Sequence, residues 1–146
     1  MSLIDNIKAN EGFSEYVYRD SLGFLTVGYG FKCDSLTSDE LELNKNRYEP
    51  MSKEVACKIL ELKLQKLQNE VFAKLEWLKS QPKQVQSIVI EMAYQMGVSG
   101  MLGFKNTLKL IENREYLKAS NNMLKSKWAK QTPNRAKKLS DILKSA

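Results

Sequence analysis

No histidine occurs among the 146 residues. Its absence excludes a Ser-His-Asp triad, a Cys-His pair and an HExxH zinc site. Acid–base chemistry is left to Asp, Glu, Lys, Tyr or Cys. The two cysteines, Cys33 and Cys57, are too few for a disulfide framework and lack zinc-ligand spacing. They read as reduced thiols of a cytoplasmic protein. No apolar run approaches the roughly 18 residues of a membrane span. The segment Met1-Ser2-Leu3-Ile4-Asp5 has neither a basic region nor an apolar core, so a cleaved secretory signal is not expected.

What is present fits one soluble globular domain: the hydrophobic fraction is 42% and the mean hydropathy −0.44. The net charge of +6 is unevenly spread. Residues 1–50 balance at −4, residues 51–100 at +2 and residues 101–146 at +8. A basic final third points to an anionic partner such as nucleic acid, anionic lipid or a cell-wall polymer. On charge alone, lysines that simply solvate helix faces are the favoured account.

Periodicity divides the chain into a small α+β part followed by a mostly helical part. Ser2 to Asp5 has capping-box spacing, and Leu3, Ile4 and Ile7 continue as a helical stripe, so residues 3–11 are expected to be helix ending at a left-handed Gly12. The period then changes. Tyr16-Val17-Tyr18 and Phe24-Leu25-Thr26-Val27 flank Asp20-Ser21-Leu22-Gly23 as a hairpin, with Gly28 and Gly30 leading to a third strand at Phe31-Lys32-Cys33. Thr37-Ser38-Asp39-Glu40 starts a short helix. Ser52 caps a long one over about residues 53–79, expected to link two lobes. Pro82 opens an almost all-round apolar helix, Val85 to Met96, that Gly97 ends. Helices near 104–113 and 115–128 follow, and Thr132-Pro133 caps a last one with Ala136, Leu139, Ile142 and Leu143 on its buried stripe. The expected lobes are residues 12–52, a linking helix 53–79, and residues 80–146 joined by 1–11.

Glu11, Asp20 and Thr26 stand in or beside the hairpin. Glu11 closes the first helix, where the partly negative carbonyl end favours a protonated carboxyl, the form a general acid needs. Asp20 lies at an exposed turn where an ionised carboxylate costs little. Two carboxyls whose surroundings drive their pKa values apart make an acid and a base. Across a cleft they suffice to cleave a glycosidic bond without histidine or metal. Thr26 offers a hydroxyl to hold the attacking water. Each also has an ordinary explanation: Glu before a helix-ending Gly, Asp in a turn, Thr in a strand.

Glu11-Gly12-Phe13, Tyr18-Arg19-Asp20, Gly23 and Leu25-Thr26-Val27-Gly28-Tyr29-Gly30 resemble the phage-type lysozymes (the T-even endolysins). So do Tyr94-Gln95-Met96-Gly97, Gly103-Phe104-Lys105-Asn106-Thr107 and the run Trp128 to Lys137. These matches cover about half the chain, near residues 3–31 and 91–138. The resemblance implies a lysozyme-like α+β fold and hydrolysis, with inversion, of the β-1,4 bond between N-acetylmuramic acid and N-acetylglucosamine in peptidoglycan. Carried over, Glu11 is the general acid, Asp20 orients or deprotonates the water and Thr26 helps hold it. Inverting enzymes keep their carboxyls about 6.5–9.5 Å apart. Arg135 matches the family arginine that pairs with the acid, and Gly30 supports the same place. Lys32, Tyr94, Gln95, Thr107 and Asn122 match cleft-lining positions. No cofactor or metal is implied. The family has His after Gly-Tyr-Gly, where this chain has Phe31, and the stretch before the long helix is shortened.

The resemblance also implies a phage or prophage enzyme made in the host cytoplasm. It would work as a monomer, without membrane insertion or nucleic acid, and be released by a separate holin-type protein. Two other readings compete. A lytic transglycosylase needs one carboxyl acid and leaves a 1,6-anhydro end. A non-enzymatic basic protein that binds wall or nucleic acid would bind through the C-terminal helices and lose affinity steeply with salt.

Overall fold

The computed structural model describes residues 2–146; Met1, the first residue of the expected 1–11 segment, lies outside them. The chain forms two compact units, Met1–Lys66 and Leu67–Ala146. Among the described residues no helix is long and apolar enough to cross a membrane, and no group of three or more His, Cys, Asp or Glu side chains gathers as a metal site.

The first unit starts with α1, Leu3–Glu11, where expected. The Ser2 hydroxyl accepts from the Asp5 amide at 3.3 Å and donates to the Asp5 carboxylate at 2.8 Å, closing the free N-terminal end of the helix. Gly12 has positive φ (71°) but ψ of −179°, so the chain leaves α1 extended rather than in a left-handed turn. Three antiparallel strands follow: β1 Ser14–Arg19, β2 Leu25–Gly28 and β3 Phe31–Lys32, in the order β1-β2-β3. Cys33 already belongs to a 3₁₀ turn, Cys33–Ser35, so the third strand is one residue shorter than expected. Thr26 in the central strand faces Tyr18 on one side and Lys32 on the other. Phe31, the departure from the family pattern, is buried in this unit's core with Val27, Met51 and Ile59. The Lys63 ammonium lies 5.5 Å from the centre of its ring.

A buried charge ties the short helix α2, Ser38–Glu42, to the middle of α3, Lys53–Lys74. Glu40 is only 2% exposed. Its carboxylate pairs with Lys63 at 2.9 Å and Lys66 at 3.2 Å, and it accepts the Thr37 amide at 3.1 Å in a capping box. Burial alone would raise the Glu40 pKa, but Lys63, the Thr37 amide and Lys66 outweigh it and the net direction is down. A hydrogen bond from Thr37, then Lys66, holds neighbouring Asp39 down to about 2. Both groups therefore contribute stability that is present above the ordinary carboxylate range and lost as pH falls below it, for Asp39 through about 2. Glu40→Gln leaves Lys63 facing a neutral partner, while Lys66 keeps Asp39 at 2.9 Å. It should cost about 3 kcal/mol in urea unfolding and flatten the acid limb of stability against pH. An unchanged acid limb would show that this cluster does not carry the dependence.

α3 ends at Lys74, five residues before the expected 79, and Glu76–Ser80 is a 3₁₀ helix. The spacing of buried residues explains the change. Leu67, Val71 and Leu75 are four apart, but Leu75, Leu78 and Gln81 are three apart and all buried. A three-residue repeat lies on one face of a 3₁₀ turn rather than an α-helix.

In the second unit Pro82 immediately precedes α4, Lys83–Leu102, which is interrupted at Gly97 (φ 82°, ψ 161°). Gly97 thus breaks the helix as expected, but a further turn continues to Leu102. Then come α5 Lys105–Glu112, α6 Tyr116–Met123, α7 Lys127–Gln131 and α8 Pro133–Lys144. The single helix expected over 115–128 is two, because the Ser126 hydroxyl donates to the Met123 carbonyl at 2.7 Å and accepts from the Ala129 amide at 3.1 Å. It closes α6 and caps α7 at once. Pro133 opens α8 as expected, but the Thr132 hydroxyl does not cap it; it donates to the Trp128 carbonyl at 2.9 Å and closes α7. Ala136, Leu139 and Leu143 of the predicted stripe are buried, while Ile142 is half-buried.

Candidate active site

In the first unit, Glu11, Asp20 and Thr26 are positioned by α1 and the hairpin. Asp20 is built into the turn between β1 and β2. Its amide donates to the Phe24 carbonyl, and its Oδ1 accepts the amides of Leu22 and Phe24, all at 2.9 Å. An aspartate that captures the amides two and four residues on fixes its own carboxylate as firmly as the turn. Both of these bonds use Oδ1. Thr26 is 2% exposed, and its hydroxyl donates to the Phe24 carbonyl at 2.9 Å. With that proton committed, its oxygen lone pairs are what it can offer a water molecule. Asp20 and Thr26 are therefore anchored to the same residue, one on its N–H and one on its C=O.

Glu11 meets this sheet through Gly30. Gly30 has φ of +71°, and a Cβ built there would clash with Glu11 Oε2 and lie 3.2 Å from its carboxyl carbon. Only glycine permits both that backbone conformation and that approach. The last residue of α1 thus rests its carboxyl against the β2–β3 turn. Lys32, on the edge strand, is exposed, with its ammonium 4.3 Å from the centre of the Phe24 ring. Phe24, Leu25, Lys32, Asp34 and Ser35 line a hollow of about 270 Å³.

In the second unit Thr107 and Asn122 come together: the Thr107 hydroxyl donates to Asn122 Oδ1 at 2.6 Å. Both line a hollow of about 510 Å³ with Phe104, Lys105, Lys125 and Ser126 among its walls. Gln95 is tied to the same neighbourhood. Its Oε1 accepts from Trp128 Nε1 at 2.9 Å, and Trp128 packs edge-on against Phe104 with ring centres 6.0 Å apart. Gln95 Nε2 is buried without a hydrogen-bond partner among the described residues. Tyr94 and Arg135 are half-buried on α4 and α8.

Sequence reading passed over Glu91. It lies in the buried run of α4 and is 3% exposed. Burial pushes its pKa up, against the pull of Arg135 and Lys138 on α8. The signal available was one carboxylate inside an otherwise apolar helix face.

A family model described as phage lysozyme matches residues 8–143. Two Dictyostelium discoideum proteins are similar over nearly the whole length. One, named probable T4-type lysozyme 1, is 28% identical over 160 residues, covering 97% of this chain and 93% of its own. The other, probable T4-type lysozyme 2, is 24% identical over 158 residues, covering 97% and 92%. The family match spans Glu11, the hairpin that carries Asp20 and Thr26, and the helices that follow, and the chain belongs to the phage lysozyme family of glycoside hydrolases.

Proposed function

We propose that this lysozyme hydrolyses the β-1,4 bond between N-acetylmuramic acid and N-acetylglucosamine in peptidoglycan, with inversion. Glu11 is the general acid that protonates the leaving oxygen. Asp20 takes the proton of, or orients, a water that Thr26 helps hold. The observation that carries this reading is the anchoring of Asp20 and Thr26 to one backbone residue, Phe24, in the same unit where Glu11 rests on Gly30. An inverting reaction needs a water held on the face of the sugar opposite the acid, and a fixed carboxylate with a hydroxyl acceptor provides for it. Lys32 on the first unit, and Tyr94, Gln95, Thr107 and Asn122 on the second, are the side chains we offer as glycan contacts. The +8 balance of residues 101–146 draws the enzyme to an anionic wall.

Purified protein should reduce the turbidity of bacterial wall suspensions and release new reducing ends, initially in the inverted anomeric form. Products ending in 1,6-anhydro sugars would replace this reading with a lytic transglycosylase. Wall binding without cleavage would replace it with a basic binding protein. The biological setting we infer is a phage or prophage enzyme acting as a monomer, with host lysis as its role and an antimicrobial effect on walls. It would be made in the host cytoplasm and released through a holin-type protein.

A further inference from the structure

The hollow at the edge of the sheet carries two opposite charges that the fold leaves unmatched. Its walls are Phe24, Leu25, Lys32, Asp34 and Ser35, and its volume is about 270 Å³. Lys32 and Asp34 are both exposed, and among the described residues neither joins an ion pair. The Lys32 ammonium rests over the Phe24 ring instead, 4.3 Å from its centre. The turn that carries Asp34 is fixed by its neighbours. The Ser35 hydroxyl donates to the Lys32 carbonyl at 2.7 Å, the Leu36 amide to the Cys33 carbonyl at 3.2 Å, and the Lys63 ammonium to the Ser35 carbonyl at 3.4 Å. Cys33 and Leu36, on either side, are buried. A wall fixed before binding loses little freedom when it takes a ligand. Phe24 and Leu25 leave apolar surface exposed beside the two charges. The space lies below the roughly 300 Å³ at which drug-sized pockets begin, so it suits the end of one side chain rather than a disaccharide.

We propose that this hollow takes the zwitterionic end of a wall peptide: a carbon bearing both an ammonium and a carboxylate, at the tip of a short methylene chain. The carboxylate pairs with Lys32, the ammonium with Asp34, and the methylenes lie against Phe24 and Leu25. A lone lysine would accept any anion and a lone aspartate any cation. The two together select a group that carries one charge of each sign. The inference deepens the reading of the protein as a peptidoglycan hydrolase and rests on it for the source of the peptide. Peptidoglycan carries short peptides on its muramic acid. Where their diamino acid is diaminopimelate, its side chain has such an end; where it is lysine, the ammonium stands alone. The hollow thus tells one wall type from another by a single carboxylate.

Binding is measured by amide NMR shifts with two synthetic tripeptides, L-alanyl-γ-D-glutamyl-meso-diaminopimelate and L-alanyl-γ-D-glutamyl-L-lysine, which differ by that carboxylate. The shifts should centre on Lys32, Asp34 and Ser35, and the diaminopimelate peptide should bind about three-fold more tightly or better. Lys32→Met should abolish the preference, and Asp34→Asn should weaken both peptides. Both side chains are exposed, so these variants should keep the wild-type circular dichroism. Equal affinities in the wild type, a preference that survives Lys32→Met, or a lack of shifts around the hollow overturns the inference. Free glycine carries both charges without a methylene chain and should bind about four-fold more weakly or worse than the diaminopimelate peptide. Equal binding by glycine would make the hollow a site for free amino acids and overturn the wall assignment. Wall hydrolysis is assayed alongside. A wild type that leaves walls intact removes the enzyme reading, whereas a wall-active protein indifferent to the two peptides strikes this inference alone.

Discussion

Replacing Glu11 by glutamine is expected to lower wall hydrolysis by about 10³-fold or more while the protein stays folded. Glutamine keeps the shape of the side chain and its place against Gly30, but its amide cannot give a proton to a departing sugar oxygen. Stability should change by no more than about 1 kcal/mol. Glu11 closes α1 at the carbonyl end, where a negative charge is unwelcome, and its removal there offsets what the carboxylate gains from its surroundings. The release of reducing ends and the urea midpoint are measured on the same preparation. Normal hydrolysis by a folded Glu11→Gln protein would end the acid assignment.

Gly30→Ala should produce the second largest loss. The added methyl group would run into Glu11 Oε2 and come within 3.3 Å of Glu11 Cβ. The obstacle is the far end of a flexible side chain, so the structure can yield by moving the carboxyl. The stability cost is then mainly that of alanine at positive φ, about 1–2 kcal/mol. The activity cost is larger, because a displacement of about 1 Å at a reacting group can cost about 10²-fold. Gly23→Ala separates the two effects. Gly23 also has positive φ, at +87°, but a Cβ there meets nothing within 4 Å. The two variants should lose similar stability, and only Gly30→Ala should lose about 10²-fold in hydrolysis. Equal activities would mean that the approach of Glu11 to Gly30 has no catalytic consequence.

Regular elements were largely legible in the sequence because their signals are local. Ser2 and Asp5 marked the start of α1, the change from helical to alternating period marked the hairpin, and Pro133 marked α8. The errors came where one residue serves two neighbours. Ser126 and Thr132 each offer a hydroxyl that could start a helix or finish one, and sequence spacing does not say which. Thr132 is turned back to Trp128. The end of α3 was misjudged because a stripe at spacings of three and four was read as one helix. The change to successive threes at Leu75 was the physical signal. At the site, the residue types and their order were readable, but the common anchor was not. Nothing in Asp20 or Thr26 alone announces that both bond to the backbone of Phe24. Glu91 was missed because periodicity weighs apolar positions and passes over a single charge among them.

The role of Phe24 has a consequence for how such an enzyme can diversify. Its N–H and C=O hold Asp20 and Thr26, whereas its ring is 47% exposed and touches Lys32. Any residue except proline supplies the same backbone groups. Exchange of that side chain would therefore leave the anchors of Asp20 and Thr26 in place while reshaping the exposed surface beside Lys32.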